Sequence, residues 1–253
     1  MKTSKEIKDA VKQKYGQIAR GEVSSVEPTG SCCGTDDQTV VNLALRYEEA
    51  DQAAIPEGAD LGLGCGTPAA YADMKEGMTV LDLGSGAGID CFVASRHVGK
   101  SGHVIGIDMT EEMIKKANEN KAKVDAANVD FRLGEIEDLP VEDNSVDRVI
   151  SNCVINLVPN KENAFGEIFR VLKNGGKFTV SDIVVDGEIT EEERRDASLW
   201  AGCISGALDK QVYLGIIDRI GFKEITIVSE KKYDYPLKSN AALYSITVSA
   251  TKP

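Results

Sequence analysis

Three cysteines of the sequence lie in short stretches that are rich in glycine or asparagine. Cys65 stands in GLGCGTP, Cys153 in SNCVIN and Cys203 in AGCISG, and these stretches are far apart along the chain. A thiol in such a stretch can accept a methyl group, bind a soft metal or metalloid ion, or pack as a small buried residue. A single buried cysteine is usually a core residue, but three in similar surroundings favour convergence on one site.

A second group of residues surrounds a glycine-rich loop in VLDLGSGAGID, residues 80–90. Asp82 lies on the predicted strand before the loop, and the loop itself contains Gly84 and Gly86. Asp108 ends the next predicted strand about 20 residues later, where an acid meets ribose hydroxyls in nucleotide-binding α/β folds. The glycine spacing is G-x-G-x-G rather than the G-x-G-x-x-G of dinucleotide-binding loops. These residues predict a nucleotide-type ligand at the end of the first strand.

The elements that must position these residues alternate between strand and helix from residue 78 onward. Such alternation predicts a doubly wound, parallel α/β sheet, in which the glycine loop and Cys153 lie at the same carboxyl edge. The β-rich segments FKEITIVSEKKY and ALYSITVSATK are expected to close the sheet as an antiparallel pair. We predict an N-terminal extension over residues 1–75, which carries Cys32, Cys33 and Cys65. The α/β domain would follow over 76–253, with a helical cap over 186–220.

Composition narrows the function classes. The chain has 253 residues, a net charge of −12 and 42% hydrophobic residues. The negative charge argues against nucleic acid or an anionic membrane as a partner. No apolar run is long enough to span a membrane, and the polar N-terminus lacks the centre of a signal peptide, so we expect a cytoplasmic protein. With only two histidines, His97 and His103, a zinc enzyme or a histidine-based triad has few residues to use.

The glycine loop and its acids resemble those of the class I S-adenosylmethionine-dependent methyltransferases. That resemblance implies a Rossmann-like sheet of seven strands, one of them antiparallel. The ligand of that family has a sulfonium and a charged methionine tail but no phosphates, and Asp82 suits it, whereas a pyrophosphate would be repelled. The residues that the resemblance assigns to the cofactor are Asp82, Gly84, Ser85 and Gly86 for the methionyl part, Asp108 for the ribose, Met109, Glu135 and Ile136 for the adenine, and Asn152 near the methyl group.

Five segments together resemble the arsenite methyltransferases: VLDLGSGAGIDC, VIGIDMT, SNCVINLVPNKE, VLKNGGKFTVSDI and WAGCISGAL. The resemblance implies that Cys153 and Cys203 bind As(III) directly. It also implies that Cys65 and one of Cys32 and Cys33 supply the remaining thiols, a pair that can form a disulfide during turnover. Trivalent arsenic keeps a lone pair after binding three sulfurs, so the absence of a catalytic histidine fits this acceptor. The implied products are mono- and dimethylated arsenicals, with glutathione or thioredoxin as reductant.

Two other functions are compatible with the sequence. The first is methylation of another small molecule, such as a quinone-like carbon or oxygen acceptor, because the fold alone does not name the acceptor. The second is a metalloid-binding protein without turnover, against which the intact glycine loop and both aspartates argue. Cys91 begins a predicted helix on the sheet and is interpreted as a core residue.

Overall fold

A computed structural model describes residues 3–23, 43–196, 199–200, 202–233, 235, 237–239 and 241–253. Seven strands form one sheet in the order β3-β2-β1-β4-β5-β7-β6. The strands are β1 (Thr79–Leu83), β2 (His103–Asp108), β3 (Val129–Leu133), β4 (Val146–Asn152), β5 (Leu172–Asp186), β6 (Lys223–Tyr233) and β7 (Ala242–Thr251). Strands β1 to β5 are parallel, and β7 runs antiparallel to both of its neighbours. The predicted seven-stranded sheet with one reversed strand is confirmed.

Helices cover both faces of this sheet. The described α-helices are α1 (Ser4–Ala19), α2 (Glu49–Gln52), α3 (Ile89–Val98), α4 (Glu111–Lys121), α5 (Lys161–Val171), α6 (Glu191–Arg195) and α7 (Lys210–Ile220). Short 3-10 helices span Ala44–Arg46, Pro68–Tyr71 and Ile155–Leu157. On one face α3 packs on Val80, Val104 and Ile150, and on the other α5 and α7 pack on Leu81, Val149 and Phe178. Both faces of the central strands are therefore buried, as their continuous apolar sequences require.

Local sequence explains where several helices begin. Thr3 and Thr190 each form a capping box with the glutamate three residues later, at the start of α1 and α6. The side chain of Asn160 accepts the backbone N–H of Asn163 at the start of α5. These side chains satisfy donors that the first turn of a helix leaves unpaired.

The helical cap predicted over residues 186–220 stays a prediction, and this range contains several kinds of element. Asp186 is still in β5, and the short helix α6 is followed by turns around Cys203. Helix α7 belongs to the layer that covers the sheet, because Tyr213 is fully buried against Phe165, with ring centroids 5.5 Å apart. The periodicity of the sequence does not show which surface such a helix covers.

The described part of the N-terminal region packs on the carboxyl edge of the sheet. Helix α1 contacts α4, and its Val11 is buried beside the cysteine-containing loops. The predicted division between an extension over 1–75 and a domain over 76–253 stays a prediction. None of the helices in the described part of the chain is long and apolar enough to cross a membrane.

Candidate active site

The glycine loop between β1 and α3 lines a cleft of about 1120 Å³, part of which is open to solvent. Gly84 has a φ of 69°, and a Cβ there would lie 2.4 Å from the Val154 side chain. Gly86 has a φ of 51° and faces open space, so a ligand can approach its backbone. The hydroxyl of Ser85 is buried at the same cleft and has no hydrogen-bond partner among the described residues. A buried polar atom without a partner is costly, which indicates that a ligand completes this loop.

The two predicted acids lie on adjacent strand ends beneath the loop. Asp108 accepts the N–H of Gly86 at 3.0 Å and that of Thr110 at 2.8 Å. Burial raises the pKa of Asp108, and these backbone donors partly oppose the rise. Asp82 is 2% exposed, and burial raises its pKa well above the ordinary value. A cationic ligand placed nearby would restore the charged form of Asp82, as expected for a methionine tail.

A third carboxylate, Asp90, lies in the first turn of α3 and was not identified from the sequence. It accepts hydrogen bonds from the Tyr47 hydroxyl and, at 3.3 Å, from the Asn152 amide. Burial raises the pKa of Asp90 to about 6. The signal for Asp90 was its place directly after the glycine loop, whereas nothing in the local sequence indicated Tyr47.

The far end of the cleft holds the residues predicted for the adenine. Met109, Glu135 and Ile136 all line it. The Glu135 carboxylate is bound by Lys8 at 2.7 Å and Lys12 at 3.1 Å, both from α1. The hydrogen bond from Lys8 lowers the pKa of Glu135. Glu135 thus fastens α1 over this end of the cleft, a contact that the sequence did not indicate.

The residues of the cleft fit S-adenosylmethionine. The buried carboxylates of Asp82 and Asp90 at the cleft could hold its cationic tail, and the apolar side chains of Leu61, Leu63 and Met109 line the same cleft. The unpartnered Ser85 hydroxyl supplies an additional polar contact. A mostly apolar cleft with a few convergent polar groups is the usual form of a cofactor site.

The three cysteines converge beside this cleft. A disulfide joins Cys65 to Cys153, with their Cα atoms 5.9 Å apart. The Cys203 thiol donates to the Cys153 carbonyl at 3.0 Å. All three are buried, among apolar residues that include Val11, Leu157 and Ile204. Cys153 also lines the cofactor cleft, so the group of three cysteines lies directly beside that cleft.

Two of these cysteines have an uncommon backbone conformation. Cys153 has a φ of 57° and Cys203 a φ of 64°, in the left-handed region that non-glycine residues seldom adopt. The Cys153 N–H is fixed by the Ser181 carbonyl at 2.7 Å. Strained backbone of this kind concentrates at functional sites, where the surroundings hold it in place.

The disulfide differs from the one that the resemblance implied. Cys65 is joined to Cys153 and not to a cysteine of the N-terminal segment, while Cys32 and Cys33 lie outside the described residues. In the described part of the chain no group of three or more acid, histidine or thiol side chains could hold a metal ion. The disulfide engages two of the three thiols. Cys91 is buried under the loop and donates its thiol to Asp82 at 3.2 Å, in keeping with a core position.

Comparison with known proteins identifies the family. The family model described as a methyltransferase domain matches residues 74–240. An arsenite methyltransferase of Halobacterium salinarum is 43% identical over 98% of this chain and 67% of its own length. The chain belongs to the arsenite methyltransferase family. Its domain and fold are those of S-adenosylmethionine-dependent methyltransferases.

Further members of the arsenite methyltransferase family are also similar to this chain. The human arsenite methyltransferase is 38% identical over 86% of this chain and 58% of its own length. A solved arsenic(III) S-adenosylmethionine methyltransferase from Chlamydomonas reinhardtii superposes with a TM-score of 0.69 at 32% identity, covering 83% of this chain and 72% of that one. The chain thus spans about two thirds or less of the length of these curated relatives.

Proposed function

We propose that the protein transfers a methyl group from S-adenosylmethionine to trivalent arsenic held by cysteine thiolates. The observation that carries this proposal is the meeting of Cys65, Cys153 and Cys203 at the wall of the cofactor cleft. Sulfur is the ligand that a soft, thiophilic centre prefers over oxygen or nitrogen. A quinone-like acceptor would not need three cysteines at this position.

The surroundings of the cysteines suit an acceptor that needs no base. S-adenosylmethionine would supply an electrophilic methyl group from its sulfonium, whose sulfur leaves as a neutral thioether. Arsenic bound through three sulfurs keeps a lone pair, so its attack on that methyl group requires no proton transfer. The attack raises arsenic formally from +III to +V, and two thiolates that leave together as a disulfide would return it to +III. The two histidines lie at the end of α3 and the start of β2, at the opposite edge of the sheet from Cys153. The apolar walls around the thiols keep water from competing for the methyl group.

The disulfide must open before Cys153 can bind arsenic. Two thiols of a reductant such as glutathione, or the dithiol of thioredoxin, would convert the bond into two protein thiols and leave as a disulfide. Cys203 is already a free thiol and can capture arsenic first. The N-terminal cysteines Cys32 and Cys33 are proposed as further thiols that exchange with this cluster.

The test replaces Cys203 by serine. Cys203→Ser keeps nearly the same volume but removes a soft ligand, so As(III) binding and methylation should both be lost while unfolding free energy falls by only about 1 kcal/mol. As(III) binding to the reduced protein and transfer of radiolabelled methyl from S-adenosylmethionine are measured together. Cys91→Ala is the matched control, because it removes a buried thiol outside the cluster and should retain As(III) binding.

The outcomes separate the candidate functions. A Cys203→Ser variant that still methylates arsenite at the normal rate would overturn the proposed site. Retained arsenic binding by the unaltered protein without any methyl transfer would indicate a metalloid-binding protein. Calorimetric affinity for S-adenosylmethionine should be unchanged in Cys203→Ser, because Cys203 is not among the described residues that line the cofactor cleft.

A further inference from the structure

Two asparagines flank Cys153 in SNCVIN, and each of them contacts the loop of a different cysteine. Asn152 is the last residue of β4, and Asn156 lies in the 3-10 helix that follows Cys153. The Asn152 side chain bonds to the segment around Cys65, which precedes it in the sequence. The Asn156 side chain bonds to the turn around Cys203, which follows it.

The Asn152 amide binds the Cys65 loop through its backbone. Its Oδ1 accepts the N–H of Cys65 at 3.0 Å and that of Gly66 at 3.2 Å, and its Nδ2 donates to the Gly66 carbonyl at 2.8 Å. The remaining Nδ2 proton is directed to Asp90 of the cofactor cleft, at 3.3 Å. The amide therefore uses both its acceptor and its donors, and one side chain connects the Cys65 loop with the cofactor cleft.

Asn156 performs the corresponding task for the Cys203 turn. Its Nδ2 donates to the Ile183 carbonyl of β5 at 2.6 Å and to the Cys203 carbonyl at 3.2 Å. Its side chain is fully buried, and its backbone carbonyl accepts the Lys161 ammonium at 3.2 Å. The turn around Cys203 is thus tied to β5 through the two protons of one Nδ2 group, on a residue whose backbone is held by Lys161.

We propose that Asn152 and Asn156 are positioning residues that bring the Cys65 and Cys203 sulfurs to Cys153. This inference rests on the proposed function for its meaning, since the assembled sulfurs are what an As(III) substrate would bind. Six consecutive residues then supply one thiol and hold the other two in place. A carboxylate could not replace either amide, because each asparagine donates a hydrogen bond to a backbone carbonyl.

The first arm of the experiment measures the Cys65–Cys153 bond without arsenic or methyl donor. Asn152→Ala removes three hydrogen bonds to the Cys65 loop, and a loosened loop lowers the effective concentration of one thiol at the other. In glutathione buffers of graded ratio, the fraction of disulfide determined by mass spectrometry should require about tenfold more oxidising conditions than in the unaltered protein.

The second arm measures the exposure of Cys203. Asn156→Ala should raise the rate at which a small alkylating reagent modifies Cys203 in the reduced protein by about tenfold, because the turn opens more often. Asn156→Asp retains the size and an acceptor but lacks the donor, so it should behave like the alanine variant. If Asn156→Ala does not fold, Asn156→Asp provides the same measurement.

The two arms must respond separately. Asn152→Ala should leave Cys203 alkylation unchanged, and Asn156→Ala should leave the Cys65–Cys153 equilibrium nearly unchanged. Asn118→Ala is the matched control, because that exposed amide donates to the Ile114 carbonyl of its own helix α4. A general loss of rigidity would move both readouts together in both variants, and this result would overturn the proposal. Normal values for both readouts would overturn it as well, whereas failure of arsenic methylation alone would count only against the proposed function.

Discussion

Replacing Gly206 by alanine is expected to disable the Cys203 turn while the rest of the protein stays folded. An added Cβ would lie 2.0 Å from the carbonyl oxygen of Asn156 and 3.1 Å from its carbonyl carbon. Non-bonded heavy atoms rest about 3.5–4.0 Å apart, so the two groups must separate by more than about 1 Å. The Asn156 oxygen cannot yield easily, because it accepts the Lys161 ammonium. The turn that carries Cys203 must therefore move.

The size of the effect should differ between stability and catalysis. Overpacking of a buried site typically costs about 1–3 kcal/mol of unfolding free energy, and a turn at the sheet edge should lie at the lower end. A displacement of about 1 Å in a catalytic arrangement can cost roughly 100-fold in rate. We therefore expect Gly206→Ala to unfold only slightly more easily but to methylate arsenite about two orders of magnitude more slowly.

The assay compares two glycine-to-alanine variants. Gly166 lies inside α5, and a Cβ there would meet no heavy atom within 4 Å. Gly166→Ala should stabilise the protein by about 0.5–1 kcal/mol through helix propensity and leave the rate unchanged. Urea unfolding and initial rates of methyl transfer are measured on both variants. A normal rate for Gly206→Ala would refute the reasoning, since it would show that the position of the turn does not matter.

Two further changes test the acids. Asp108→Asn retains one acceptor for the loop N–H groups but loses the charge, so S-adenosylmethionine affinity should fall by about 1.5–3 kcal/mol in calorimetry while As(III) binding is unchanged. Asp182 is buried beneath Asn156 and Tyr213, and burial raises its pKa to about 7 from an ordinary 3.8. The protonated form is thus favoured in the folded state, so its contribution to stability is complete below about pH 4 and is lost as the pH rises through 7. Between pH 5 and pH 8 the free energy of unfolding of the unaltered protein should therefore fall by roughly 2–3 kcal/mol more than that of Asp182→Asn. Melting temperatures that depend on pH equally in the two proteins would contradict this.

Much of the fold followed from the sequence because its signals are local. Alternating strand and helix patterns, glycine stops and the loop after β1 predicted the parallel sheet and placed Asp82 and Asp108 at one edge. The surface that α7 covers could not be predicted, because an amphipathic pattern shows that a helix has a buried face but not which surface buries it.

The site was predictable only in part. Motif resemblance pointed to Cys65, Cys153 and Cys203 as one group, and the structure brings them together. The contact between Tyr47 and Asp90 joins residues 43 positions apart and depends on how an irregular segment folds back over α3. No spacing rule in the sequence encodes such a contact.

The same holds for the backbone of the cysteines. A positive φ at Cys153 is imposed by the Ser181 carbonyl on β5, which fixes the Cys153 N–H. Cysteine has no intrinsic preference for this conformation, so the sequence could not indicate it.

The ion pairs of helix α1 should make cofactor exchange depend on the ionic strength of the solution. Lys8 forms ion pairs with Glu135 and Glu137, and Lys12 forms one with Glu135, so these pairs hold α1 over the adenine end of the cleft. Arg20, at the end of α1, pairs with Glu112 of α4. The side chains of these residues keep between 15% and 43% of their surface exposed, so dissolved ions weaken their attraction over a Debye length of about 8 Å at physiological ionic strength. The apolar contacts of Val11 carry no charge and are not screened in this way. We therefore expect the residence time of bound S-adenosylmethionine to shorten as ionic strength rises. Turnover that is limited by release of the spent cofactor would then be faster in concentrated salt.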